Sequence, residues 1–456
     1  MEKSKKVYVC SKCGYESPKW VGQCSSCHSW NSFKEFTVQK AGKALSRTGK
    51  TNEPAKAYTV NEINLASTGR LNFSYNEFNR VLGGGLVPGT VVLMAGEPGV
   101  GKSTLLLQLL LQIRQCKTLY CAGEESLQQV KIRAQRVGYG EESSDCLFTD
   151  ETNIDKVLDL AEQLESSLIV IDSIQTAFCP DVDSVEGSIT QIRESAARII
   201  RFAKSKQVSF ILIGHITKTG SIAGPMVLEH MVDVVMQFEG DQNNYYRILR
   251  SQKNRFGSTR EIGVFEMKRD GLNEVSNPSE MFVSEHREHL SGVAYAATIE
   301  GMRPMLIELQ ALVSSAVYGN PQRTSTGFDI RRLNMLLAVL EKRAGFRLNQ
   351  KDVFVNIVGG IRLLDPGMDL PLMAAILSSD QDMSVPAKTV LAGEVGLSGE
   401  VRSASRLPQR ISEADRLGFR RIIVPAISKK DMPGTQQIEV IHVNSVAGML
   451  KALFKA

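Results

Sequence analysis

No stretch of this 456-residue chain approaches the roughly 18 uninterrupted apolar residues of a membrane-spanning helix, so a helical membrane protein is not expected. An export signal is missing too: Met1-Glu2-Lys3-Ser4-Lys5-Lys6 leads straight into a cysteine cluster, and the chain is expected in the cytoplasm. A large excess of either charge is also missing. The 54 Lys and Arg face 49 Asp and Glu, and the net +5 hints only weakly at an anionic partner. Nor is this a disulfide scaffold. Four of the eight cysteines fall into two C-x-x-C pairs, which in a chain without an export signal favours a metal. What is present is ordinary globular composition, 43% apolar and 23% charged, at a length that suits two to four domains.

One stretch organises the rest. Gly96-Glu97-Pro98-Gly99-Val100-Gly101-Lys102-Ser103-Thr104 fits G-x-x-x-x-G-K-[ST], the phosphate-binding loop. A β-branched apolar segment, 90–95, precedes it, and a helical run, 105–113, apolar on nearly every side, follows. The loop thus sits between a buried strand and a helix N-terminus. Glycines let backbone N–H groups turn towards phosphates, and the helix end adds partial positive charge. Lys102 is assigned to the β- and γ-phosphates of ATP and the Ser103 hydroxyl to Mg2+.

At the N-terminus, Cys10, Cys13, Cys24 and Cys27 have the spacing to place four thiolates on one tetrahedral ion, Zn2+ before iron. A module of residues 1–37 buries little core, and metal would supply the missing stability. Trp20, Trp30 and Phe33 are expected as its apolar lid. Cys116, Cys121, Cys146 and Cys179 read as packing residues. Residues 38–57 carry Lys40, Lys43, Arg47, Lys50 and Lys56 against Glu53 alone, the pattern of a basic linker.

Residues 58–284 alternate between strands and helices. Asp172 closes the apolar run Leu168-Ile169-Val170-Ile171, where ligands sit in an open parallel sheet, and is assigned to Mg2+ through water. Glu124 and Glu125 follow another strand on the same side. One of them is expected to polarise the attacking water, with Glu124 preferred. His215, at the end of a fourth strand, is either a γ-phosphate sensor or a structural histidine. The segment 217–225, with Lys218, is either a nucleic-acid contact or a surface loop.

These residues together resemble the bacterial RadA (Sms) family of the RecA/DnaB-like motor superfamily. The resemblance spans essentially the whole chain. It rests on the four cysteines, the loop 96–104, Gly123-Glu124-Glu125-Ser126, the strand ending at Asp172-Ser173 and, most specifically, Lys253-Asn254-Arg255-Phe256-Gly257. It implies an α/β RecA-like P-loop ATPase core with an N-terminal zinc module and a C-terminal Lon protease-like α+β domain over 285–456. It further implies a homo-hexameric ring that hydrolyses ATP in response to DNA. The expected partners are single-stranded DNA, recombination intermediates and a RecA-type recombinase, and the expected work is branch migration. Lys253 and Arg255, at i and i+2 of an extended segment, are expected to face one anion, as a catalytic finger reaching a neighbouring subunit's ATP or as a DNA contact.

The Lon-like domain lacks the serine and lysine a Lon protease needs. Where the serine motif belongs, the chain reads Asp365-Pro366-Gly367-Met368-Asp369-Leu370-Pro371-Leu372, and where the lysine motif belongs, Ser405-Arg406-Leu407-Pro408-Gln409-Arg410. A scaffold is expected instead. The arginines at 402, 406, 410, 416, 420 and 421 make it locally basic, as a DNA surface, a solvated face or subunit contacts. Two other functions stay open: an ATP-dependent protease, disfavoured by the missing pair, and a KaiC-like ATP-driven assembly switch.

Overall fold

The computed structural model describes residues 5–10, 16–25, 30–38, 59, 69–138, 145–215, 226–240, 245–279, 290–316, 321–358, 363–426, 434 and 437–454. The chain divides into two compact units, Met1–Val275 and Ser276–Ala456. Among the described residues no helix is long and apolar enough to cross a membrane.

The first unit begins with a three-stranded antiparallel sheet, β1 (Lys5–Cys10) between β2 (Glu16–Ser17) and β3 (Phe33–Val38). Cys10, Cys24 and Phe33 form its small buried cluster. The expected aromatic lid is only partly there: Phe33 is buried, but Trp20 and Trp30 are 53% and 71% exposed. Three short strands do not enclose enough volume for three large rings. Of the basic linker, all but Val38 lies outside the described residues.

The centre of this unit is a nine-stranded sheet. Its order is β12 (Gly271–Glu274), β11 (Ile262–Lys268), β10 (Tyr246–Asn254), β9 (Val234–Glu239), β4 (Val91–Gly96), β8 (Ser209–His215), β7 (Leu168–Asp172), β5 (Thr118–Ala122) and β6 (Cys146–Thr149). From β9 to β6 the strands are parallel, and β10 to β12 extend the sheet antiparallel. Helices α1 (Asn76–Leu82), α2 (Lys102–Gln112), α3 (Leu127–Arg136), α4 (Ile154–Gln163), α5 (Ile189–Lys206) and α6 (Met226–Met231) accompany it.

Burial on both faces explains the strand sequences. Val91 and Leu93, Ile169 and Ile171, and Phe210 and Leu212 enter one core. Val92 and Met94, Leu168 and Val170, and Ile211 and Ile213 enter the other. A period of two sends alternate side chains to opposite faces, so strands covered on both read as unbroken apolar runs. Helix α2 lies within the second core, and its leucines 105, 106, 107, 109 and 110 are at most 1% exposed. Each contributes about 1.5–3 kcal/mol by burial, so the helix whose first turn carries Lys102 is firmly seated.

The second unit is built on a seven-stranded mixed sheet. Its order is β15 (Arg323–Thr326), β16 (Lys351–Ile357), β14 (Arg303–Ser315), β13 (Val293–Glu300), β17 (Thr389–Leu391), β20 (Arg421–Val424) and β21 (Glu439–His442). β18 (Glu394–Val395) and β19 (Val401–Arg402) pair as a small antiparallel hairpin. Among its described residues the helices Ile330–Ala344, Asp369–Asp380, Leu407–Arg416 and Val446–Phe454 accompany the sheet. Helix Asp369–Asp380 is almost wholly buried because it is apolar on every side.

Candidate nucleotide-binding site

At both ends of the phosphate-loop sequence a glycine stands where no side chain fits. In the register of the sheet, Gly96 is level with His215 of β8 on one side and Phe238 of β9 on the other. A Cβ at Gly96 would come 2.5 Å from the Phe238 carbonyl oxygen. Gly101 caps α2 with φ 110°, and a Cβ there would meet Met267 at 2.7 Å. Between them Glu97, Pro98 and Gly99 turn the chain, and the buried guanidinium of Arg247 donates from Nε to the Val100 carbonyl at 3.1 Å. With that carbonyl turned to Arg247, the N–H of the same planar peptide faces the other way. Ser103 and Thr104 lie in the first turn of α2.

Lys102 is buried, and its Nζ donates to the carbonyls of Gly96 at 2.8 Å and Glu97 at 2.9 Å. Burial pulls its ammonium down to about 8, against the opposing pull of Asp172, Glu124 and Glu97. The same Nζ lies 3.3 Å from Nδ1 of His215, whose Nε2 lies 3.2 Å from Oε1 of Glu124. An ammonium only donates, so Nδ1 accepts and the ring proton sits on Nε2, donated to Glu124. Glu124 also accepts from the hydroxyl of Ser173.

The neighbouring glutamate has a different environment. Glu125 forms an ion pair with Arg133 of α3 at 3.0 Å. Arg133 donates to the Tyr120 hydroxyl at 3.1 Å, and Tyr120 in turn donates to Oδ2 of Asp172, itself buried at the end of β7. Burial first, and then the Asp172 carboxylate, push the Tyr120 phenol well above its ordinary value, which keeps it a donor. The structure therefore brings Lys102, Glu124, Asp172 and His215 to one end of the parallel strands. Tyr120, Arg133, Ser173 and Arg247 are site residues that the sequence reading missed. Ser173 had a signal, adjacency to Asp172; the other three depend on how strands and helices meet.

The segment 253–257 departs from expectation. Lys253 and Arg255 do not jointly present to an external anion. Lys253 donates to the carbonyls of Glu229 and Val232, both at 2.8 Å, and of His230 at 3.3 Å, and so closes the end of α6. Asn254 does the same for α1, donating to Leu82 at 3.1 Å. Gly257 packs on Gly83, where a Cβ would lie 2.9 Å from the Gly83 Cα. Arg255, half exposed, pairs with the buried Asp233 at 3.2 Å. The reason is that β10 ends at Asn254, so the i, i+2 alternation of an extended strand does not reach Arg255.

Of the four candidate zinc ligands, Cys10 and Cys24 are buried together, whereas Cys13 and Cys27 lie outside the described residues. Among the described residues no group of three or more His, Cys, Asp or Glu could hold a metal. The segment 217–225, with Lys218, is likewise outside them.

In the second unit the segments 365–372 and 405–410 hold buried ion pairs. Arg410, fully buried, grips Asp365 with both Nη atoms, at 2.5 and 3.0 Å, and donates to the Ala297 carbonyl. Burial raises the Asp365 carboxyl, but the Arg410 hydrogen bonds and charge outweigh it and leave the group below its ordinary value. Asp369 pairs with Arg332 and accepts from the Val395 N–H. Ser378 and Ser379 spend their hydroxyls on backbone, with the N–H groups of Gly292 and Val313 donating to them. The arginine run is largely neutralised from within, Arg402 by Glu400, Arg416 by Glu413, Arg421 by Glu439 and Arg410 by Asp365.

Comparison with known proteins agrees with this architecture. Residues 8–35 match the family model of the rubredoxin metal binding domain, 59–221 that of an AAA domain, and 320–428 that of subunit ChlI of Mg-chelatase. The DNA repair protein RadA of Halalkalibacterium halodurans is 46% identical over 455 residues, 99% of each chain. The proteins of that name from Bacillus subtilis and Listeria monocytogenes are 44% and 43% identical, each over 99% of both chains. Among solved structures, a KaiC-like protein of Pyrococcus horikoshii is 19% identical, covering 46% of this chain and 99% of its own at a TM-score of 0.37.

Proposed function

The chain belongs to the RadA family of DNA repair proteins, and from that premise we propose that it is a DNA-stimulated ATPase of recombinational repair. The observation that carries this reading is the line Lys102–His215–Glu124, in which a phosphate-loop cation and a strand-end carboxylate share one imidazole at 3.3 and 3.2 Å. ATP would lie across the N-terminus of α2, its phosphates taken by backbone N–H groups of the loop 96–104. Lys102 would exchange two backbone carbonyls for phosphate oxygens. Ser103, and Asp172 through water, would hold Mg2+, which when bound neutralises charge building between the β- and γ-phosphates. Glu124 is the base that orients the attacking water, because Glu125 is committed to Arg133. His215 connects the γ-phosphate end of the loop to that base.

Arg255 is the residue offered to a neighbouring subunit in a homo-hexameric ring. Lys253, Asn254 and Gly257 anchor the segment that carries it. Cys10, Cys13, Cys24 and Cys27 would hold Zn2+ in the N-terminal module. The second unit serves as a scaffold for the ring; the Asp365–Arg410 pair supports that reading over a protease. The motor's proposed substrates are single-stranded DNA and recombination intermediates, its work ATP-driven branch migration, and its protein partner a RecA-type recombinase.

The test is a strand-exchange intermediate with a labelled duplex arm. Extension of the paired region that needs ATP and is lost in Lys102→Ala supports the motor. ATP turnover that is slow, indifferent to DNA and moves no branch would replace it with the assembly switch.

A further inference from the structure

The two glutamates of 124–125 share a position in sequence but not in space. Glu124 faces Ser173 and His215. Glu125 meets Arg133 in a two-pronged contact, Oε1 to Nη1 at 3.2 Å and Oε2 to Nη2 at 3.0 Å, the planar fork that fixes a guanidinium's direction. From there Arg133 reaches the Tyr120 hydroxyl at 3.1 Å, and that hydroxyl donates to Asp172 Oδ2. Arg133 itself is 3.8 Å from the same oxygen, beyond hydrogen-bond length, so its hold on the carboxylate passes through the phenol.

We infer that Glu125, Arg133 and Tyr120 form a positioning chain that fixes the Asp172 carboxylate by one oxygen and turns the other to a divalent cation. The inference rests on reading Asp172 as the metal-side acid of the site. It divides the adjacent glutamates between the two halves of the chemistry, Glu124 to the water and Glu125 to the metal.

Packing alone does not ask for this arrangement. Tyr120 is fully buried in β5 among apolar residues, its ring 5.8 Å from that of Phe148, a place phenylalanine would fill. A hydroxyl there is costly unless partnered, and its partners are both charged. The contact also ties the middle of β5 to the C-terminal end of the next strand, β7. Arg133 brings in α3, whose capping box at Ser126 and Gln129 fixes the helix directly after Glu125. An acid swinging freely at a strand end would lose orientation entropy on each metal it took up; a held one does not.

The experiment uses the full chain and a fluorescent ATP analogue, with binding measured first in EDTA and then across a Mg2+ series. In Tyr120→Phe and Arg133→Met, affinity in EDTA stays at the wild-type value. The Mg2+ concentration giving half of the metal-dependent gain rises about fivefold or more, the worth of one hydrogen bond. Glu125→Gln shifts it in the same direction, and Glu124→Gln leaves it unmoved while stopping turnover. Unchanged Mg2+ dependence in both Tyr120→Phe and Arg133→Met, with Asp172→Asn losing it, overturns the positioning chain alone. If Asp172→Asn keeps the full Mg2+ response, the reading of Asp172 fails and takes the inference with it. If Tyr120→Phe does not fold, Glu125→Gln, at a side chain 40% exposed, still allows the measurement.

Discussion

His215 donates from Nε2 to the Glu124 carboxylate across 3.2 Å while its other nitrogen faces Lys102. A base tied this way responds to what the phosphate loop holds. Replacing His215 by alanine removes the tie at both ends and leaves Lys102 its two loop carbonyls. Turnover is expected to fall roughly 10- to 100-fold, the range of a charge-assisted hydrogen bond, with nucleotide affinity near wild type. Equal losses in affinity and turnover would make the histidine structural.

Lys102 gives a pH dependence with a definite sign. Burial holds its ammonium at about 8, and the protonated form is the one that pairs with phosphate. Nucleotide affinity is therefore full below that value and falls as pH rises through it, by about tenfold per unit beyond. Stability runs the other way. The folded value lies below the ordinary 10.5, so between about 8 and 10.5 the unfolded chain holds more protons and this group's contribution rises with pH. Calorimetric titrations at pH 7 and 9, in buffers of different ionisation enthalpy, should show proton uptake on binding only at the higher pH. A flat profile would contradict the burial of Lys102.

The Asp365–Arg410 pair bears on whether the second unit is a scaffold. Arg410→Met leaves a buried carboxylate without its partner and should cost about 3–5 kcal/mol in urea unfolding. Adding Asp365→Leu should recover much of that loss. A protease remnant tolerant of change at these positions would show neither effect.

Arg255 and Lys102 can be tested against each other. Arg255→Ala keeps the loop and loses the finger, and Lys102→Ala does the reverse. If the finger acts between subunits, where such a group is worth roughly 10³–10⁵ in rate, mixtures should regain ATPase activity that neither parent has. No recovery despite proven mixing and normal nucleotide binding would place Arg255 elsewhere, and lost DNA binding with unchanged basal turnover would place it on DNA.

The reach of the sequence can be judged residue by residue. The placement of Asp172, Glu124 and His215 at one end of the sheet was legible because each follows an apolar run, and parallel strands bring their ends together. Tyr120 was not, since nothing local distinguishes a core tyrosine from one donating to the next strand's carboxylate. Lys253 misled because β10 ends at Asn254, one residue short of Arg255, and its ammonium is taken by the carbonyls at the end of α6. Arg410 looked like one of six surface cations until the fold carried Asp365 to it. The exposed Trp20 and Trp30 show the limit of reading burial from residue type in a module with almost no interior.

Steady-state ATP hydrolysis by wild type and Glu124→Gln, each with and without single-stranded DNA, decides whether this is a DNA-stimulated ATPase with Glu124 as its base. The account predicts hydrolysis that DNA stimulates in the wild type, and in the variant a loss of roughly 10²–10⁴ with nucleotide still bound. Wild-type turnover that ignores DNA, or a Glu124→Gln variant that keeps pace with it, would contradict the account.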